Sequence, residues 1–355
     1  MTALAQRAIG WRHGVVADAG PVPATLADPP IANWGATSAP LAGGSSAGAA
    51  AFAGDDDLAR TAAVAEAVER YAASVCAAGT AYRLADNQPV AGFDDVLSLR
   101  APGATSSGLA ADPSPLRALL RAAQELIERD ALMTTWLHGV AARRVDLPDA
   151  LLEPVLRLAG TATAFNLTPA YSPHPVAAVA GCIPRRGRPR LSMGLACRSR
   201  WDDALAKAWL EWAQGVVFAG MRADEIGPLS PKDVTDFDRH AVYYTVNPEQ
   251  WDGLPLFGGP RTDRPPDAEV VGAPTDELHA LAHCGVELLY RDLTTVDAAH
   301  IGLRVVRVVA PDLTPIHADH NHPALNARSH DLHWRYPWAT PTATSFPNPM
   351  PHPLG

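Results

Sequence analysis

A chain of 355 residues, 47% hydrophobic and with a formal charge of −9, can bury a substantial core as one large domain or two ordinary ones. The negative balance excludes a surface built to hold nucleic acid, which needs a net basic face, and suits acidic metal sites better. Cys76, Cys182, Cys197 and Cys284 are scattered with no CxxC pair, which argues against structural zinc or a disulfide framework and for a reducing cytoplasm.

In chain order, "MTALAQRAIGWRHGVV" is interrupted by Arg7, Arg12 and His13 before it reaches signal-peptide length, and no later run is long enough to span a bilayer. The chain is therefore expected to be soluble and unexported. Residues 20–30 are proline-rich and read as an extended lead-in. Residues 57–76 carry Val64, Val68 and Tyr71 at helical period behind Asp55, Asp56 and Asp57, which suit an N-cap and the positive end of the helix dipole. Residues 115–138 form a second expected helix, with Ser114 as N-cap, Pro115 at the first position and Leu116, Leu120, Ala123 and Ile127 as its stripe.

Strands are expected at "PVAAVAGCI" and "RLSMGLA", a third helix at 202–219, and further strands at "AVYYTV", "VELLYRDL" and "GLRVVRVVA". The last twenty residues, from Tyr336, are too rich in proline for helix. The fold class is α+β or mixed α/β, with no polar linker dividing the middle.

One pattern occurs twice: "AEAVERY" at 65–71 and "QELIERD" at 124–130 each hold ExxER inside a helical stretch. On a helix, Glu66 and Glu69, like Glu125 and Glu128, project about 60° apart, away from the apolar stripe. A single such pair fits a solvated acidic face. Two pairs, each followed by an arginine (Arg70 and Arg129), suggest two helices turning acidic faces to a shared cleft where bound cations relieve the repulsion. Hard carboxylate oxygens select magnesium or calcium, and magnesium is commonly completed by substrate phosphates.

The stretches "ARTAAVAEAVERYAAS" and "SSGLAADPSPLRALLRAAQELIERDALMTTW" resemble the two nucleotide-site helices of the YcaO family. "ALAKAWLEWAQGVVFAGMRAD", "VELLYRDLTTVDAAHIGLRVVRVVAPDLTPIH" and the tail "PNPMPHPLG" follow in the expected order. The likeness runs from about residue 10 to the C-terminus. Alternating Pro347, Pro349, Pro351 and Pro353 resemble the branch that makes thiazoline and oxazoline rings in ribosomal peptides.

The resemblance implies a YcaO-like fold with helices on mixed sheets around a nucleotide cleft, a domain over residues 1–335, and a tail over 336–355 that folds back toward the active site. It implies an ATP-dependent cyclodehydratase. A Cys, Ser or Thr side chain of a precursor peptide attacks the preceding carbonyl, and ATP phosphorylates the resulting oxygen so that it departs as phosphate. Glu66, Glu69, Glu125 and Glu128 would hold Mg2+ and phosphates. Arg70, Arg129 and Arg222 would contact or orient the nucleotide. Pro349, Pro351, Pro353 and Gly355 of the tail would order the active site. The implied partners are the precursor peptide, a separate ThiF-like leader-binding protein and a flavin dehydrogenase, in a homodimer or hetero-complex, with no nucleic acid or membrane.

The sequence also departs from the family. Its glycine-lysine-glycine turn aligns with "AFAG", placing Phe52 where a cation is expected. The polar pattern ahead of the second helix aligns with Ala110, Pro113, Arg117 and Arg121. The two arginines either replace lost phosphate contacts or form a solvated face. The short span from Arg70 to Ser106 implies that a strand region of ring-forming relatives is missing. Two further readings therefore stand beside the cyclodehydratase: a degenerate YcaO-fold scaffold or regulatory subunit without ATP turnover, and a YcaO enzyme forming thioamides or amidines.

Other motifs read more plainly. "GSSAG" at 44–48 fits GxSxG without the strand and helix a nucleophile elbow needs, so a loop is expected. "RGRP" at 186–189 reads as a hairpin turn, not a minor-groove hook. "HADHNH", with His317, Asp319, His320 and His322, reads as a polar loop ahead of a transition-metal site. His240 lies in another family-like stretch without an assigned role.

Overall fold

The computed structural model describes residues 3–10, 12, 14–41, 48–76, 79–92 and 105–355. The chain begins with α1 (Ala3–Ala8), β1 (Val16–Pro21), β2 (Ala32–Ser38), β3 (Gly48–Ala53), α2 (Asp56–Val75), β4 (Ala81–Arg83), β5 (Pro89–Val90), β6 (Leu109–Asp112) and α3 (Pro115–His138). There follow β7 (Arg143–Val145), α4 (Asp149–Arg157), β8 (Thr161–Asn166), β9 (Val176–Arg185), β10 (Arg188–Cys197), α5 (Trp201–Ile226) and α6 (Phe237–Val246). The last elements are α7 (Pro274–Ala282), β11 (Leu289–Asp292), α8 (Val296–Ile301), β12 (Arg304–Val309) and α9 (Leu332–Arg335). They pack as two compact units, one of Met1–Ala24, Ile31–Leu126 and Gly272–Pro311, the other of Thr25–Pro30, Ile127–Val271 and Asp312–Gly355.

In the first unit, β1-β2-β3 form one sheet and β5-β4-β11-β12-β6 another. α2 begins where expected: the Asp55 carboxylate accepts the Leu58 N–H at 2.8 Å, and Asp56 and Asp57 occupy the first turn. Its stripe of Ala63, Val64, Ala67 and Val68 is buried in one core with Ala5, Val16, Ala36, Ile301 and Val305. The first turn of α3 is fixed by Ser114, whose Oγ accepts the Arg117 N–H at 3.4 Å. Leu116, expected in its stripe, is instead exposed, while Leu120, Ala123 and Ile127 are buried.

In the second unit the sheet order is β10-β9-β8-β7. β9 and β10 pair from Arg185↔Arg188 to Val176↔Cys197 around Arg186 and Gly187, at φ 51° and 78°. Two positive φ values make the tight turn whose twist matches the strands, so "RGRP" is a hairpin turn. α5 lies against this sheet so closely that a Cβ at Gly194 would stand 2.2 Å from both the Ala208 carbonyl oxygen and the Trp212 nitrogen. The proline-rich lead-in is anchored there too: Asp28 pairs with Arg190, both side chains 3% exposed.

Three expectations are corrected. "AVYYTV" belongs to α6, not a strand: Asp236 caps it by accepting the Arg239 N–H at 2.8 Å, and His240, Val242, Tyr243, Tyr244 and Thr245 are all buried. Four consecutive buried residues, Val242 to Thr245, erase over that stretch the amphipathic period that marks a surface helix. The third helix continues past 219 to Ile226, because Gly220 makes room for Arg190, whose Cδ would be 2.7 Å from an added Cβ, and Gly227, at φ 72°, ends the helix. Among the described residues the sheets are not mixed: every pairing between named strands is antiparallel, the arrangement of an α+β fold.

Candidate functional site

α2 and the first half of α3 bring Glu66, Glu69 and Glu125 together in the first unit. The Glu69 carboxyl is pushed well above its usual range, first by burial and then by the Glu66 and Glu125 carboxylates; Arg70 and the Ala111 backbone oppose this without cancelling it. Glu66 accepts from Arg70 at 2.6 Å, one helical turn away, and the same guanidinium donates to the Gly48 carbonyl. Glu125 accepts the Gly108 N–H at 3.0 Å. Gly108 aims that N–H because it turns at φ 76°, where a Cβ would lie 2.2 Å from the Val308 carbonyl oxygen.

Arg307 completes the cluster, and sequence reasoning missed it. It lies on β12, is 5% exposed, and its Nε and Nη1 have no hydrogen-bond partner among the described residues. Burial lowers its pKa, while Glu125 and Glu69 favour its charge; a guanidinium remains protonated regardless. The signal was an arginine in the β-branched run "LRVVRVV", where every strand position from Val305 to Val309 is buried. A buried cation with free donors among carboxylates is arranged for an anion bridged to those carboxylates by a metal ion.

The donors fit magnesium. They are hard carboxylate oxygens, and the repulsion that raises Glu69 is what a divalent ion would relieve. Among the described residues, no three carboxylate, imidazole or thiol groups stand close enough to ligate one ion. Magnesium does not require three, since it keeps several waters and typically takes one or two carboxylates together with phosphate oxygens.

Glu128 lies one turn beyond Glu125 on α3, in the second unit. It is 5% exposed, and it accepts the Cys197 N–H at 3.3 Å, with Arg129 Nη1 3.8 Å away. Arg222 sits on α5 in an exposed network with Glu225 and Asp238, the latter at 3.2 Å. Arg117 and Arg121 lie on the exposed face of α3, and Ala110 is buried in β6. The backbone of Phe52 pairs with Asn33 in the β2–β3 ladder. Residues 42–47, which include most of "GSSAG", and residues 93–104 of the shortened span lie outside the described residues.

The tail residues Pro349, Pro351, Pro353 and Gly355 belong to the second unit, as do His240, His317 and His320. His240 stacks on His352 with ring centroids 3.7 Å apart. In "HADHNH", Asp319 accepts from His322 at 2.8 Å and from Asn321 at 3.0 Å. No described helix is long and apolar enough to cross a membrane.

The family described as YcaO cyclodehydratase, ATP- and Mg2+-binding, matches residues 99–314. A search of curated proteins found no match. Among solved structures, a heterocyclase in complex with substrate and cofactor is similar over 95% of this chain, with a TM-score of 0.71 and 17% identity; the chain spans 56% of that protein's length. YcaO from Methanopyrus kandleri, bound with AMPPCP and Mg2+, is similar at a TM-score of 0.71 and 17% identity over 87% of this chain and 89% of its own. The E. coli microcin synthetase McbBCD complex gives 0.60 and 14% over 89% and 95%. At these identities the likeness to solved structures is one of fold. The family match covers more than half of the sequence, including the second ExxER and Arg307, and this chain belongs to the YcaO cyclodehydratase family.

Proposed function

We propose that this chain is the ATP-dependent cyclodehydratase subunit of a peptide-modifying system, forming thiazoline or oxazoline rings from Cys, Ser or Thr of a ribosomally made precursor. The observation that carries it is the buried Arg307, whose Nε and Nη1 have no hydrogen-bond partner among the described residues, in the same unit as the carboxylates of Glu66, Glu69 and Glu125. The heterocyclase and the microcin synthetase among its structural relatives, the latter also solved with pro-MccB17 bound, support a precursor peptide as substrate. A separate leader-binding protein and a flavin dehydrogenase complete the proposed system, in a homodimer or hetero-complex in the cytoplasm.

Glu66, Glu69 and Glu125, with Glu128 one turn further along α3, would hold Mg2+ and through it the ATP phosphates. Bound there, Mg2+ neutralises phosphate charge and favours phosphoryl transfer to an oxygen nucleophile. The chain's own part is orientation and charge. Arg307 presents Nε–H and Nη1–H to a phosphate oxygen in a desolvated place, where charge-assisted hydrogen bonds are strongest. Arg70, held by Glu66 and the Gly48 carbonyl, fixes the geometry of the α2 carboxylates. Gly108 locks Glu125 through its N–H. Arg129 and Arg222 are further nucleotide contacts in this reading. The peptide side chain adds to the preceding carbonyl, the oxygen so formed takes the γ-phosphoryl group, and phosphate leaves as the ring C=N forms. Catalysis then rests on positioning and electrostatics rather than on a protein nucleophile. The tail over 336–355, with Pro349, Pro351, Pro353 and Gly355, completes the site.

A scaffold without ATP turnover is the second reading, favoured by the buried apolar Ala110 and by Phe52 where the family carries polar or charged groups. Incubation of the chain, a leader-binding partner and precursor peptide with ATP and Mg2+ decides between them. Loss of one water mass per ring with ADP release is expected; neither nucleotide turnover nor mass change would leave the scaffold.

A further inference from the structure

The tail segment "PMPH" presents consecutive carbonyls, and each accepts a hydrogen bond from a different side chain. His320 Nε2 donates to Pro349 O at 3.0 Å, Trp136 Nε1 to Met350 O at 2.8 Å, Tyr244 OH to Pro351 O at 2.7 Å, and His240 Nδ1 to His352 O at 2.9 Å. Just upstream, Asn348 donates its N–H to Leu137 O at 2.9 Å and its Nδ2 to Trp136 O at 3.0 Å. Alternating prolines carry no N–H, so this backbone offers mainly acceptors, and an extended proline-rich chain gives up little entropy on docking. The surface beneath it is correspondingly built of donors.

We propose that Trp136, Tyr244, His240 and His320 are positioning residues for the tail, forming a four-donor seat that holds it only while the histidine cluster at its floor is uncharged. This rests on the reading that the tail completes the nucleotide site. Within the second unit, Trp136 stands eight residues beyond Glu128 on α3, roughly 12 Å along the helix axis.

The chemistry of the floor carries the second half of the proposal. Carbonyl oxygens only accept, so His240 carries its proton on Nδ1. His352 Nε2 donates to His317 O at 2.9 Å and carries its proton there. The remaining nitrogens, His240 Nε2 and His352 Nδ1, are buried without a partner among the described residues, as is His317 Nδ1. His240 and His352 are 0% and 1% exposed. A proton on either bare nitrogen would be a desolvated charge against a parallel ring 3.7 Å away.

Burial, then the neighbouring imidazoles, hold His240 at about 4 against the opposing backbone of His352 and Ala318, hold His317 at about 4, and place His352 well below its usual value against the backbone of His317. Asp319 favours the charged forms of His317 and His320 and is outweighed. The other charged groups nearby, Asp236, Asp238 and Arg239 on α6, Lys232 and Asp233 before it, and His322 beside Asp319, pair locally or lie at the surface. Released histidines regain ordinary values, so docking is full above about pH 6.5 and weakens toward pH 4, by about tenfold per pH unit for each histidine protonated on release.

The test reads docking in the full chain without nucleotide or peptide, so it stands apart from activity. Methionine methyl groups are labelled with 13C, and Met350 is assigned from the spectrum of Met350→Leu. The Met350 signal should move from a docked to a released position between pH 7.5 and 5. Tyr244→Phe and His320→Ala should each raise the pH of release. His240→Gln, which keeps a donor and loses the titration, should stay docked to lower pH. A Met350 signal that holds its position through that range, or is unmoved by Tyr244→Phe and His320→Ala, overturns the seat. Release at low pH with unchanged ATP turnover would support the seat and instead remove the tail from the proposed reaction.

Discussion

Arg335 lays its guanidinium across both carboxylate oxygens of Asp130, with Nε 3.0 and 2.9 Å from the two oxygens and Nη2 2.8 Å from one. Both side chains are fully buried, and Tyr171 OH and the Thr314 N–H donate to the same carboxylate at 2.8 and 2.7 Å. The pair ties the point where the tail begins to the middle of α3, the helix that carries the second ExxER. A buried pair adds little over an apolar replacement, but removing one partner strands the other charge. Arg335→Ala should therefore lower unfolding free energy by about 3–5 kcal/mol, read by urea denaturation. A loss within the range of a surface substitution would mean that water reaches Asp130.

Glu69 gives a pH dependence with a definite sign. Its carboxyl is raised in the folded chain by burial, Glu66 and Glu125, so without a bound cation the folded state holds a proton that the unfolded chain releases above about pH 4.3. Stability should fall as pH rises from there through the folded pKa. Added Mg2+ and ATP should flatten this decline, as should Glu69→Gln, which also removes ATP turnover. Thermal melts across pH check both; equal slopes for the native chain and Glu69→Gln would exclude Glu69 as the source.

The proposed role of the α3 carboxylates is tested more directly. Glu125→Ala and Glu128→Ala are each expected to abolish ATP consumption while leaving a folded chain. Unchanged turnover in both variants, measured by phosphate release, would take these residues out of the mechanism.

Arg307→Gln removes a desolvated cation from a strand interior, so the fold should survive. A lost charge-assisted hydrogen bond of about 1.5–3 kcal/mol raises the ATP dissociation constant about 10- to 150-fold. Calorimetric titration with a non-hydrolysable ATP analogue and Mg2+ reads this, and native affinity in the variant would reject Arg307 as a phosphate ligand.

Gly108 is a backbone requirement of the same cluster. Gly108→Ala meets the Val308 carbonyl oxygen at 2.2 Å and forces a side chain into positive φ, a strain of about 1–2 kcal/mol before any clash is relieved. The variant should be less stable and weaker in Mg2+-dependent ATP turnover, since the shifted turn re-aims the backbone N–H that orients Glu125. Stability equal to the native chain would show that the turn relaxes freely.

Sequence alone determined the parts whose signal is local. The Asp55 cap, the Val64–Val68 stripe and the Ser114–Pro115 start located α2 and α3, and their helical period put each glutamate pair on one face. The β9–β10 hairpin and β12 followed from β-branched runs bounded by turn residues, and the proline tail excluded helix. Tertiary structure decided what local pattern cannot encode. The stretch Val242 to Thr245 of α6 is buried all round, so its β-branched and aromatic residues resemble a strand until neighbouring elements surround them. The third helix, expected over 202–219, runs on to Ile226 with Arg190 packed against Gly220. Arg307 and the His240–His352 stack acquire meaning only from desolvation by residues distant in sequence, because burial and the charges nearby, not residue identity, set what a guanidinium or an imidazole can do.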